Sequence, residues 1–317
     1  MDITLRKSSN SGKAQKKQPY FIRQIRKNKY LYMIFFLPIL YYILFHYWPM
    51  YGITIAFKDY NIVRGISGSP WVGFKHFEKF LTDPYFWKLV RNTLLINVYG
   101  LVWSFPAPII LALSLNELPN RGFKKFVQSV SYLPHFISTV VVCGMIVNFM
   151  AYDGIINQVL ESLGIDRIHF LMLPEWFRTI YIGSGIWQGV GWGSIVYLAA
   201  LSGIDEELYE AATIDGANRW KQMLHITLPG IKPTISIMLI MNLGRLLNIG
   251  YEKIILLYNG STYETADVIS TYVYRRGLLG SDFSYATAVN LFQNLIGLVL
   301  LITSNKISNK LSDTGLW

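Results

Sequence analysis

The chain has 317 residues, of which 52% are hydrophobic and only 15% are charged. Soluble globular proteins carry about 25% charged residues, and the uncharged residues here gather in long runs, so the sequence indicates a chain whose solvent is largely lipid. The formal charge of +10 is concentrated before the first apolar run, which argues against nucleic-acid binding, and the single cysteine excludes an internal disulfide framework and a Cys/His metal site.

Residues 1–29 form a basic, polar head with too few apolar residues to fold alone. Its Lys and Arg residues are Arg6, Lys7, Lys13, Lys16, Lys17, Arg23, Arg26, Lys27 and Lys29. We expect this head to be a cytoplasmic tail that sets the orientation of the chain and contacts anionic membrane lipid.

Six later segments are apolar and long enough, or nearly so, to cross a bilayer. A hydrocarbon core about 30 Å thick needs roughly 20 residues of helix. The predicted spans are Tyr30–Trp48, Thr93–Leu115, Val127–Met150, Thr179–Leu201, Thr234–Leu257 and Ala286–Thr303. The sequence therefore predicts an all-α integral membrane protein with six transmembrane helices over residues 30–304, followed by a cytoplasmic tail over residues 305–317.

An even number of spans places both termini on one side of the membrane. Because the basic head belongs in the cytoplasm, the loop that contains residues 202–229 is cytoplasmic as well. The inner segments then carry more Lys and Arg than the outer loops, as the positive-inside rule requires. We expect a multi-pass protein of the bacterial plasma membrane.

The loop over residues 202–229 differs from the other connections. Asp205 is placed to cap a helix whose first turn is acidic, which suits the positive end of the helix dipole. Gly216 permits a sharp bend, and a second short helix runs to Pro229. A long loop with helical patterning of its own is usually functional, and we expect a helix–Gly–helix elbow against the cytoplasmic face.

Three blocks in this loop resemble the EAA motif of binding-protein-dependent ABC importer permeases. The matching residues are Glu210, Ala211, Ala212, Asp215, Gly216, Ala217, Ile226, Leu228 and Pro229. The resemblance implies a coupling helix in a cleft of a cytoplasmic ATPase, with Glu210 as the acidic contact and Gly216 as the bend. Met223 stands where that family often has Phe.

Further blocks are similar to the sugar-permease branch, and more narrowly to its polysaccharide or complex-oligosaccharide subgroup. They are residues 71–77, 84–93, 266–275 and 315–317. The resemblance implies the type I importer architecture and an oligosaccharide cargo. It also implies two ATPase copies, a second related permease chain, usually in a heterodimer, and an extracellular solute-binding protein.

Polar side chains inside the predicted spans are candidates for the solute pathway, because such groups are costly in lipid. The candidates are Gln188, Trp192, Asn242, Arg245, Asn248 and Glu252. On one continuous helix the last four would share a side, and Arg245 and Glu252 would stabilise each other. Amides and flat aromatic rings suit saccharides, although hydrogen bonding between helices explains the same residues equally well.

Several alternatives remain. The coupling motif is shared with importers of amino acids, phosphate and peptides, so a non-sugar cargo stays open. An ion-coupled secondary transporter would show an internal repeat and matching broken helices, and the sequence indicates neither. A phosphate-binding G-x-x-x-x-G-K-[ST] loop and catalytic or metal-binding motifs are absent from the sequence, so we expect no cofactor and assign ATP hydrolysis to partner chains.

Overall fold

The computed structural model describes residues 27–245 and 247–312. The head over residues 1–26 and the last five residues of the predicted C-terminal tail lie outside the described residues. The chain divides into two compact units, residues 1–53 and residues 54–317. The described residues form helices and loops, with one isolated antiparallel bridge between Lys58 and Trp71.

The helices vary widely in length. The first are α1 (Lys29–Tyr42), α2 (Gly65–Gly68), α3 (Lys75–Leu81), α4 (Phe86–Trp103), α5 (Pro106–Asn116), α6 (Arg121–Tyr132), α7 (Thr139–Met150), α8 (Ile155–Ser162) and α9 (Pro174–Leu201). The others are α10 (Glu206–Ile214), α11 (Arg219–Gln222), α12 (Leu228–Gly230), α13 (Lys232–Gly244), α14 (Tyr251–Leu257), α15 (Tyr263–Ala266), α16 (Ile269–Val273) and α17 (Phe283–Ser312). Residues 43–57 continue α1 in π-helical and 3-10 turns.

Four helical stretches of the described chain are long and apolar enough to cross a membrane. They are Lys29–Phe57, Phe86–Asn116, Thr139–Ser162 and Phe283–Ile307. A fifth is added if Arg219–Gly230 and Lys232–Gly244, which are bent by 58° relative to each other, count as one span. The structure thus agrees with an all-helical membrane protein without yielding the count of six.

The fourth predicted span, Thr179–Leu201, lies within α9, which has 28 residues. This helix is long enough to span a bilayer, but it is not among the four apolar stretches. Its five glycines and its polar side chains lower its mean hydropathy. The glycines instead permit close packing: a Cβ on Gly191 would overlap the backbone of Ser131, and one on Gly193 would lie 3.0 Å from Pro108 Cγ.

The predicted third span, Val127–Met150, is wrong as a single helix. The chain passes from α6 into a 3-10 turn at Leu133–Phe136, which contains Pro134, and α7 then begins after an extended Ser138. Ser138 caps the new helix, since its Oγ accepts a hydrogen bond from the Val141 amide at 3.4 Å. Because Ser138 lies within an uncharged run, the sequence did not indicate that a new helix begins there.

The predicted fifth span, Thr234–Leu257, is also wrong as a single helix. Helix α13 ends at Gly244 and α14 begins at Tyr251. Helix α17 supports this interruption, because Gln293 Nε2 donates to the Leu247 carbonyl at 2.6 Å. A Cβ on Gly244 would overlap Leu301, so α13 and α17 approach closely where the break begins.

A buried apolar cluster joins α5, α9 and the start of α13. Its buried members are Ile109, Ala112, Tyr197, Leu201 and Ile231. Ile204 and Met238 pack against it. Through Ile204, the cluster connects the loop that follows α9 to helices α5, α9 and α13.

The final helix differs from the predicted tail. Helix α17 continues through Ser312, so the boundary predicted at residue 305 falls inside the helix. Asn305 is buried at 2% exposure.

Candidate functional site: the elbow and the polar cavity

The loop over residues 205–230 folds as the helix–Gly–helix elbow that the sequence predicts. Gly216 has a φ of +78°, a left-handed conformation that L side chains rarely adopt, and it separates α10 from α11. Asp205 caps α10 by accepting the Glu207 amide at 3.0 Å, and Asn218 caps α11 by accepting the Lys221 amide at 2.9 Å. We call residues 205–230 the elbow.

Hydrogen bonds hold the two arms of the elbow together. Gln222 Nε2 donates to Thr213 Oγ1 at 2.9 Å, and the hydroxyls of Tyr209 and Thr227 are 3.0 Å apart. Thr227 is 1% exposed, so this second contact is largely shielded from water. The elbow is accordingly a preformed element.

The outer surface of the elbow exposes large apolar side chains. Leu208 is 53% exposed, Ile214 87%, Trp220 70% and Leu224 52%. An exposed apolar patch among charged residues typically marks a protein or membrane contact. Glu210 and Asp215 are exposed on the same elbow.

The structure places all the predicted coupling residues on this one element. Glu210, Ala211, Asp215, Gly216 and Pro229 are exposed, whereas the others are half-buried: Ala212, Ala217, Ile226 and Leu228. Their proximity agrees with the prediction of a docking elbow, and their contact with an ATPase stays a prediction.

The elbow is anchored, through Ile204, to helices α5, α9 and α13. A Cβ on Gly230 would lie 2.7 Å from Ile204 Cδ1, so the last residue of the elbow packs tightly against the residue that precedes its first. Ile204 in turn packs against the apolar cluster that contains Tyr197 and Leu201. Two residues at this cluster, Tyr197 and Met238, also line a cavity.

That cavity has a volume of about 580 Å³ and lies where α4, α5, α9 and α13 meet the interrupted segment before α14. Its polar lining residues are Asn97, Ser104, Tyr181, Gln188, Tyr197, Asn242, Asn248 and Lys253. Irregular backbone at membrane depth is tolerated where it lines such a cavity, which gives the helix break a physical reason. We call this the polar cavity.

Four amide side chains in the polar cavity use their nitrogens within the protein. Asn97 donates to Thr93 O, Gln188 to Ile137 O, Asn242 to Met238 O and Asn248 to Asn294 Oδ1, at 2.8, 3.1, 2.8 and 3.2 Å. None of their amide oxygens accepts a hydrogen bond from the described residues. These oxygens are available acceptors for hydroxyl groups.

The structure brings together only part of the predicted solute pathway. Gln188, Asn242 and Asn248 line the polar cavity, whereas the other candidates do not. Trp192 stacks on His135, with ring centroids 4.5 Å apart and planes 2° from parallel.

Arg245 and Glu252 were expected to form an ion pair on one helix. Both side chains are exposed, and no ion pair joins them. Helix α13 ends before Arg245, so the 3.6-residue period that supported this pairing does not apply across the break.

Sequence analysis missed Lys253. This half-buried lysine lines the polar cavity, with its Nζ 5.2 Å from the ring centroid of Tyr181. The signal was present, since Lys253 is an ionisable residue inside a predicted span. Lys253 was not selected because, on one continuous helix, its neighbour Glu252 and not Lys253 would share a side with Arg245 and Asn248.

A separate ion cluster joins α4 to α15. Glu264 is 2.9 Å from Lys88 Nζ and 2.8 Å from Arg91 Nη2. Hydrogen bonds from Lys88 and Arg91 lower the pKa of the Glu264 carboxyl below its ordinary value. The backbone carbonyl of Glu264 also accepts from Asn92 Nδ2 at 2.9 Å, so charge and backbone contacts fix the same loop.

Comparison with known proteins gives concordant matches. The chain is 44% identical to the polygalacturonan/rhamnogalacturonan transport system permease protein YteP of Bacillus subtilis (strain 168), over 306 residues that cover 96% of this chain and 95% of the relative. It also resembles, with a TM-score of 0.86 and 43% identity, a chain in the crystal structure of a bacterial ABC transporter involved in the import of the acidic polysaccharide alginate. That match covers 93% of this chain and 100% of the other.

A second crystal structure shows the bacterial alginate ABC transporter in complex with an alginate pentasaccharide-bound periplasmic protein. Its matching chain also has a TM-score of 0.86 and 43% identity, and the match covers 94% of this chain and 100% of that one. Residues 104–313, which include the whole elbow and most of the polar cavity, match the profile of a single family. The chain belongs to the family of binding-protein-dependent transport system inner membrane components.

Proposed function

We propose that this permease forms half of the translocation pathway of an ATP-driven importer of oligosaccharides. Relatives named for the transport of polygalacturonan, rhamnogalacturonan and alginate support a saccharide cargo. The amide oxygens of the polar cavity support it chemically, because they accept hydrogen bonds from sugar hydroxyls. The chain itself makes no covalent bond, and partner ATPase subunits hydrolyse ATP.

The proposed topology has six membrane crossings with the type I importer architecture and both termini in the cytoplasm. The crossings are α1 with its continuation, α4–α5, α7–α8, α9, α13–α14 and α17. Residues 1–29 form the cytoplasmic head of this arrangement, residues 30–304 form the membrane domain, and residues 305–317 form its cytoplasmic end. The basic head and the exposed, charged elbow support this orientation.

The observation that carries the proposal is the elbow itself. It exposes Ile214 and Trp220 outward, while Ile204 fixes its base to the buried cluster below the polar cavity. A partner that pushes on this surface therefore pushes on the helices that line the pathway. We assign the docking role to the residues of the coupling motif, with Glu210 as the acidic contact.

The proposed cycle uses four kinds of partner. Two ATPase copies bind the elbows of this chain and of a second related permease, and an extracellular binding protein delivers the oligosaccharide. Closure of the ATPases moves the elbows as rigid elements and opens the joint cavity outward. ATP hydrolysis reverses the motion, in an alternating-access cycle.

Co-purification from native membrane tests this function. The wild-type chain is expected to retain an ATPase and a second permease, and Glu210→Lys is expected to lose the ATPase while keeping the permease. Asp166→Lys, the same charge reversal in the exposed loop between α8 and α9, is the matched control and should retain both. A chain that purifies alone, or a Glu210→Lys variant that keeps its ATPase, contradicts the coupling assignment.

A further inference from the structure

Lys253 places an unpaired positive charge in the wall of the polar cavity. The ring of Tyr181 lies beside its ammonium, 5.2 Å from Nζ to centroid. Among the described residues it forms no ion pair and donates no hydrogen bond, and none of the residues lining the cavity is Asp or Glu. A charged side chain at membrane depth is costly, and its default interpretation is a ligand or transport site.

From this geometry we infer that Lys253 binds a carboxylate of the passing saccharide, so that the polar cavity selects oligosaccharides containing uronic acids over neutral ones. This inference rests on the proposed function, since it names the substrate class of the same pathway. A carboxylate supplies the missing counter-charge, and a charge-assisted hydrogen bond to an ammonium is stronger than one between neutral groups.

The surroundings of Lys253 suit a sugar acid. Tyr181 supplies a flat ring beneath the ammonium, and the amide oxygens of Asn97, Gln188 and Asn242 accept hydroxyl donors around it. Gly185 lies next to the charge, since a Cβ there would be in ordinary van der Waals contact with Lys253 Nζ, at 3.7 Å. Neutral hydroxyls can use the amides, but only an anion neutralises the lysine.

Other charged residues near this region are already engaged or lie outside the cavity. Arg178 donates to Asn92 Oδ1 at 3.0 Å, and Arg91 is paired with Glu264. Arg245 and Glu252 do not line the cavity. Lys253 is therefore the charge that the cargo meets in the described part of the wall.

The test is ATP-driven uptake into proteoliposomes that contain the complete importer, with the same binding protein outside in every reaction. The acidic probe is trigalacturonate, and the neutral probes are its methyl ester and galactotriose. The variants are Lys253→Met, which removes the charge at similar length, and Lys253→Arg, which keeps it. Lys125→Met is the control for the same change at an exposed lysine on α6. Melting temperature and co-purification of the complete importer verify that each variant folds and assembles.

The expected result is that Lys253→Met lowers trigalacturonate uptake at least about tenfold, with Lys253→Arg retaining most of it and Lys125→Met matching the wild type. Uptake of neutral probes should fall far less. The inference is overturned if the wild type imports only the neutral probes, or if Lys253→Met imports trigalacturonate as well as the wild type; the proposed function survives both results. A wild-type importer that moves no saccharide at all overturns the proposed function, and this inference with it.

Discussion

The elbow and the interruption between α13 and α14 are both breaks in helical structure, but they are made in different ways. The elbow is specified locally: Gly216 supplies the left-handed bend, and Asp205 and Asn218 cap the helices that follow them. The interruption depends on another helix, because Gln293 of α17 satisfies the freed carbonyl of Leu247.

The two regions therefore owe their rigidity to different contacts. The elbow carries its own caps and cross-links, so it can transmit force as a unit while exposing its apolar surface. The interrupted segment keeps its shape only while α17 stays packed against it, and it borders the polar cavity. We therefore expect a change in the packing of α17 to alter the cavity wall more than it alters the elbow.

The largest expected effect comes from removing the distant support of the interruption. Gln293→Leu leaves the 5% exposed Leu247 without its hydrogen-bond donor, and we expect a loss of about 1–3 kcal/mol in stability. Thermal unfolding in detergent measures it. Asn290→Leu replaces an exposed amide on the same helix and should change the melting temperature little. Equal melting temperatures for the two variants would show that α17 does not hold the break.

A smaller effect is expected from the local bend. Gly216→Val forces a β-branched side chain into the left-handed conformation, at a cost of about 1–2 kcal/mol. Because the strain falls on the elbow, ATPase activity stimulated by the binding protein should drop while the polar cavity is unchanged. Gly216→Asn is the matched control, since asparagine tolerates this conformation. Full coupling in Gly216→Val would mean that the bend is not needed.

The elbow could be predicted from the sequence, whereas the interruption between α13 and α14 could not. The elbow was predictable because its signals are neighbours in the chain, with Asp205 capping α10 and Gly216 making the bend between α10 and α11. The break after Gly244 was not predictable in this way. Its support comes from Gln293, 46 residues away from Leu247, and no proline marks the site.

The polar cavity could also be predicted only in part, because it is formed by helices that are distant in the chain. Gln188, Asn242 and Asn248, which were selected because each interrupts an apolar run, line one cavity, and their role in the solute pathway stays a prediction. Arg245 and Glu252 were grouped with them through a helical period that the chain does not follow. Lys253 is not on the side of the assumed helix that carries Arg245 and Glu252, so it was not selected. The folded arrangement of α9, α13 and α14 was needed to place it in the cavity.

A still smaller effect is expected from the contact that joins the arms of the elbow. Tyr209→Phe removes one hydrogen bond to Thr227, worth about 0.5–1.5 kcal/mol. We expect stimulated ATPase activity to fall modestly. Thr227→Val and the double variant complete a mutant cycle, in which the two changes together should cost less than their sum. Strict additivity would show that the two hydroxyls do not act as a pair.

The smallest expected effect is pH-dependent and concerns the ion cluster of Glu264, Lys88 and Arg91. Because Lys88 and Arg91 lower the pKa of Glu264, its contribution is present above the ordinary glutamate pKa and is lost as the pH falls through the lowered value. Glu264 and Arg91 are exposed, so the effect on stability is about a few tenths of a kcal/mol. Glu264→Gln should flatten the acid side of the stability profile slightly. Asp166→Asn, which removes a carboxylate that forms no ion pair in the described chain, should leave that profile unchanged.

Site-specific photo-crosslinking at the elbow tests whether the elbow is the surface that binds the ATPase. Ile214 is 87% exposed on the elbow, and Val63, 95% exposed in the loop before α2, is the matched control. Each is replaced by benzoylphenylalanine in the complete importer, and adducts are identified by mass spectrometry. We expect an adduct between position 214 and the ATPase subunit, and none between position 63 and that subunit. No ATPase adduct at position 214, or equal adducts at both positions, would contradict the assignment of the elbow as the coupling surface.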